Sequence, residues 1–181
     1  MTAREFIDQT RTASPSLPSA ELLELVRFVE PPEDEYRDDD NAEFRAEICA
    51  ALLPDARPID RPLIRYLLEQ EAANAGDGGM SDDLKLCAYL LFRFGELEDA
   101  LPIWRAKEAC FDTMCGLDVQ LVVGAGTDAT LDHLRALDDP AAKRAVEYIE
   151  GCRATGDFDY MEIYRAEIER YFDSPPFEGE T

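Results

Sequence analysis

The stretch from Ser81 to Gly95 constrains the fold more than any other part of the chain. A serine suited to capping a helix and a glycine suited to ending one bracket Leu84, Leu86, Cys87, Ala88, Leu90, Leu91, Phe92 and Phe94. A helix that is apolar nearly all round must be buried on several sides. In a chain of 181 residues, this predicts a central helix with others packed around it in one core.

The remaining sequence supplies those partners. Residues 1 to 75 contain no glycine, as suits a helical run with few tight turns. Ser19 is placed to cap a helix through Val29, with Leu22, Leu25, Val26 and Val29 on one face, and Pro31-Pro32 ends it. A second helix is expected over about Asn41 to Leu53, burying Phe44, Ile48, Ala51 and Leu52. Asp60 and Pro62 open a third, whose stripe is Leu63, Ile64, Leu67, Leu68 and Ala72, before a loop at Asn74–Gly79.

A fifth helix is expected from Leu97 to Phe111, burying Leu97, Ala100, Leu101, Trp104 and Phe111, with a kink at Pro102. Later helices fall at 117–123, 128–138, 140–154 and 158–172. Asp139-Pro140 caps one, Gly156 ends it and Asp157 can cap the last. Short loops make successive helices antiparallel. The expected fold is all-α: antiparallel helical hairpins stacked as a short solenoid-like or bundle domain, with about eight to nine helices. Its divisions are N-terminal helices at 1–30, an acidic linker at 31–40, the hairpin domain at 41–172 and a disordered tail at 173–181.

One hairpin carries a family pattern. Ala88 stands at a small position of the first helix, Gly95 at the turn, Ala100 five residues on and Trp104 at a large aromatic position. Leu84 to Lys107 therefore resembles a tetratricopeptide repeat, with Lys107 in place of a small residue and Pro102 inside the second helix. The resemblance implies a helical scaffold that binds a protein or peptide. A fainter echo runs at a spacing of 60 residues: Phe44-Arg45-Ala46-Glu47, Trp104-Arg105-Ala106-Lys107 and Tyr164-Arg165-Ala166-Glu167.

Charge narrows the partners. Forty acidic and 18 basic side chains give a net charge of −22. Such a chain repels phosphate backbones and anionic membranes, so neither nucleic acid nor membrane is an expected partner. A basic protein would be steered in, although plain solubility also accounts for the charge. No apolar run approaches the ~20 residues that cross a bilayer, and Met1–Phe6 has no secretion-signal character. Five cysteines, Cys49, Cys87, Cys110, Cys115 and Cys152, sit among helix formers without a disulfide framework. These features lead us to expect a cytoplasmic protein.

Chemistry-bearing patterns are sparse. Val119–Val123 followed by Gly124-Ala125-Gly126 superficially reads as strand and dinucleotide loop, but no further strands follow. A short buried helix ending at the glycines, with Thr127 or Asp128 capping the next, is the expected alternative. Cys110 and Cys115 have four residues between them, at the edge of zinc-ligand spacing and without a second pair. A single histidine, His133, excludes a di-iron bundle. Neither metal nor cofactor is expected.

The stretch Ile103–Gly126 is the least acidic part, and it holds the candidate binding residues Trp104, Lys107, Asp112, Asp118 and Gln120. Trp104 also fits the core, which leaves the other four as exposed contacts. The leading expectation is a non-catalytic scaffold for a basic protein partner. The alternatives are an immunity or antitoxin-like protein masking a cationic toxin, and an enzyme using a buried carboxylate or Cys115. Oligomeric state stays open.

Overall fold

Leu84, Leu90 and Leu91 are fully buried, and the helix that carries them is the hub of the structure. The computed structural model describes residues 1–13, 18–30 and 39–173. Most of the expected acidic linker and all but the first residue of the expected tail lie outside them. Among the described residues the fold is all-α, with no strand. Its helices are α1 (Ala3–Ala13), α2 (Ala20–Glu24), α3 (Ala42–Leu52), α4 (Arg61–Gly78), α5 (Asp82–Phe94), α6 (Ala100–Lys107), α7 (Phe111–Gly116), α8 (Thr127–Ala136), α9 (Pro140–Thr155) and α10 (Met161–Asp173).

Helix α5 starts and stops where its sequence dictates. The Ser81 hydroxyl accepts the Leu84 N–H at 3.1 Å, and Gly95 closes the helix at φ +65°. Its chief partner is the antiparallel α4, and α3 packs on another side. Helices α8 and α9 form a second hairpin, while α6 packs against α4 and α9. The Val119–Val123 run is a buried 3-10 helix wedged between α5 and α6. This close approach requires Gly124, because a Cβ there would lie 2.8 Å from the Phe92 carbonyl oxygen.

Several expectations need correction. The helix after Ser19 ends at Glu24 rather than Val29, and Leu25 is exposed. The Asn41 amide donates to the Glu24 and Arg27 carbonyls, and the Phe28 N–H donates to Gln70. Those backbone groups are therefore satisfied outside a helix. The expected Asn74–Gly79 loop is instead the end of α4, which is closed by Gly79 at φ +80°.

The expected Leu97–Phe111 helix is three pieces: a 3-10 turn at Leu97–Asp99, then α6, then α7. Pro102 lies in the first turn of α6, where an N–H has no helical partner to lose. Phe111 begins α7 and is 81% exposed, not core. The last helix starts at Met161, and neither Thr127 nor Asp128 caps α8: Gly126, at φ +100°, precedes it.

The three Arg-Ala echoes fall on α3, α6 and α10, where the arginines do different work. Arg105 pairs with Asp139 at the surface, and Arg165 donates to the Gly124 carbonyl. Arg45 is fully buried between Asp39 and Glu71, bonded to both, while its Nη2 has no acceptor. Ser81 donates to the second oxygen of Glu71, and Asp39 accepts the Val29 and Asn41 N–H groups. This buried network ties the residue 26–30 segment, α3, α4 and the start of α5 together.

Candidate functional site

The five residues singled out from sequence do not form one exposed cluster. Trp104 is buried, tilted against Tyr148 with ring centroids 5.4 Å apart, and its indole N–H has no acceptor. Lys107, expected as an exposed contact, is only 2% exposed. Its ammonium donates to the Met114 and Leu117 carbonyls at 2.5 and 2.7 Å and sits 5.4 Å from the centre of the Tyr148 ring. A cation on the last carbonyls of α7 is well placed against the helix dipole, even though burial lowers its pKa.

Asp118 is half-buried, accepting from the Tyr164 hydroxyl and pairing with Lys85, each at 3.1 Å. Burial and the Asp118 charge push the Tyr164 phenol well up. Gln120 donates to the Asp157 carbonyl at 3.0 Å. Lys107, Asp118 and Gln120 thus hold neighbouring segments together. Asp112 alone of the five is exposed.

Asp112 belongs to a surface assembled from α7, the α4–α5 turn and α10. Its carboxylate lies 3.3 Å from the position a Cβ would occupy on Gly79. Gly116, at the other end of α7, sits under Met80, whose sulfur would be 2.8 Å from a Cβ there. Two residues on, Asp82 accepts the Tyr171 hydroxyl at 3.1 Å. Lys85 reaches over the Tyr171 ring and also holds Asp118. Phe111 and Tyr171 are 81% and 52% exposed. These approaches join α7 to the α4–α5 turn, and the start of α5 to α10.

The thiols are spread through the fold. Cys49 and Cys87 are buried with sulfurs 3.4 Å apart, and the contact together with burial raises the Cys87 pKa well above the ordinary thiol value. Cys110 precedes α7, and the hydrogen bond from the Thr113 N–H lowers its pKa. Cys115 is exposed on the same helix. Among the described residues, no three His, Cys, Asp or Glu side chains are grouped to hold a metal ion.

The carboxyl of Asp83 is shifted upward, first by burial and then by the Glu71 and Asp82 charges. A shallow cavity of about 160 Å³ opens between α4 and α6, lined by Leu68, Glu69, Ala72, Pro102, Arg105 and Ala106. It contains neither Asp83 nor Cys115. No helix among the described residues is long and apolar enough to cross a membrane.

Sequence reasoning missed the Phe111 surface because it read one helix where the chain makes two. The available signal was Cys110-Phe111-Asp112-Thr113, in which the Thr113 hydroxyl accepts the Cys110 N–H at 3.0 Å, a start signal for a new helix. Compared with models of known protein families, with curated proteins and with solved structures, the chain gives no match.

Proposed function

We propose that this chain is a non-catalytic helical scaffold that binds a protein partner of basic character. The observation that supports it is the one-sided use of charge. Arg11, Arg61, Arg65, Lys85, Arg105 and Arg144 bridge separate segments of the fold, each held by a carboxylate of the same chain. With 40 acidic against 18 basic side chains, the internal pairs consume the cations and leave a large carboxylate surplus. Surplus like charges repel one another, so this surplus does not hold the fold together. A cationic partner is attracted by the summed field and oriented by it.

The test is affinity capture on the immobilised protein from a native extract, washed with increasing salt. The expected result is enrichment of proteins with pI above about 9, released as salt screens the attraction. Captured proteins no more basic than the extract, or a yield indifferent to salt, would refute the reading.

A further inference from the structure

We infer that the surface built from α7, the α4–α5 turn and Tyr171 is the docking site, and that its occupant is an arginine-bearing segment of the basic partner. The inference rests on the reading above and adds a place and a side-chain chemistry. Phe111 is the most exposed large apolar residue of the described chain. It sits at the start of α7, and its ring has no described aromatic or cationic neighbour. Tyr171, tied to the start of α5 through Asp82, already shows the kind of contact an incoming cation would make: Lys85 lies 5.4 Å from its ring centre.

The charge around these rings is negative. Asp112 and Asp82 are exposed, while Asp118 pairs with Lys85 and also feels the Lys107 charge. Asp82 accepts a neutral hydroxyl, that of Tyr171. An exposed aromatic ring next to an exposed carboxylate suits a guanidinium better than an ammonium. Arginine is planar and weakly hydrated, so it stacks on a ring while its N–H fork engages a carboxylate. Lysine, as a compact hydrated point charge, gains less from the ring. Aromatic and arginine side chains are where interface binding energy concentrates.

The α4–α6 cavity fits this occupant less well. Its lining includes one cation, Arg105, and one carboxylate, Glu69, and no aromatic ring.

The experiment uses the full chain, labelled with nitrogen-15, and two capped peptides, Arg-Leu-Arg-Arg-Leu-Arg and its all-lysine analogue. The expected result is salt-sensitive binding of the arginine peptide, with amide shifts concentrated on Gly79–Lys85, Cys110–Gly116 and around Tyr171. Phe111→Ser and Asp112→Asn should each weaken it by about tenfold, whereas Phe111→Tyr keeps the ring and should retain affinity. Glu69→Gln, at the α4–α6 cavity, should change nothing. Phe111 is exposed, so these variants should melt with the parent, which separates lost binding from lost fold.

Saturable binding that maps elsewhere and survives Phe111→Ser would overturn the docking site and leave the basic-partner reading standing. Equal affinity for the lysine peptide would overturn the arginine assignment. Absence of salt-sensitive binding by either peptide would defeat both readings. A concentration-dependent dimer abolished by Phe111→Ser would show that a second copy covers this face, and would overturn the inference.

Discussion

Replacing Arg45 with Met tests whether the buried charge network holds the fold together. Its guanidinium is fully buried, donating from Nε to Glu71 at 2.6 Å and from Nη1 to Asp39. Two charge-assisted hydrogen bonds are worth about 1.5–3 kcal/mol each, and the desolvated, unpartnered Nη2 gives back about 1–3. The variant also strands two carboxylates whose side chains are at most 3% exposed. The net loss should therefore fall near 3 kcal/mol, at the low end of the ~3–5 seen when one member of a buried ion pair is removed. For a chain of this size that lowers Tm by about 6–12 °C. Chemical denaturation at neutral pH is the assay, read beside Glu71→Leu and the double variant. The double variant should cost less than the sum of the singles by about 0.5–3 kcal/mol, because it no longer buries an uncompensated Glu71 charge. A loss below about 1 kcal/mol for Arg45→Met, or strict additivity in the cycle, would mean that the three groups are hydrated and not locked together.

Leu91→Ala should destabilise by ~2–5 kcal/mol, since Leu91 is fully buried on the central helix; denaturation yielding a surface-like loss under about 0.5 would misplace the core. Gly124→Ala should cost ~1–3 kcal/mol by driving a Cβ to 2.8 Å from the Phe92 carbonyl, and an unchanged denaturation midpoint would show that the backbones there can separate. Asp83→Asn should raise Tm at pH 7. Burial and the Glu71 and Asp82 charges, only partly offset by Arg45, raise the Asp83 pKa, so the fold holds a proton that the unfolded chain releases. Its penalty is therefore absent below the unfolded carboxyl pKa near 3.9 and grows as pH rises through the folded value. Melting curves at pH 3 and pH 7 that show the same Asp83→Asn difference would contradict this.

Much of the fold was legible because local signals agreed with tertiary need. Ser81, Gly95, Asp139 and Gly156 end or begin helices by geometry that belongs to the residue itself: a side-chain acceptor or a positive φ. The apolar girdle of α5 placed it in the core whatever its neighbours were. The errors arose where distant groups competed for backbone. Nothing near Ser19 announces that Asn41 and Gln70 will take the carbonyls and N–H that a helix to Val29 would have used. Pro102 read as a kink only because the 3-10 turn that puts it in a first turn is not a periodicity signal.

The candidate site divides along the same line. Lys107 and Trp104 looked informative because they are rare residue types in this chain, and rarity does not say which way a side chain faces. Lys107 faces inward because the break after α6 brings the C-terminal end of α7 to it, where two carbonyls need a donor. That same break lifts Phe111 out of the α6 stripe and sets it on the surface beside Asp112. One local event, the end of a helix at Lys107, thus removes a cation from the exposed set and adds an aromatic ring to it. Both changes act in the same direction: this end of the molecule exposes one cation fewer and one aromatic ring more.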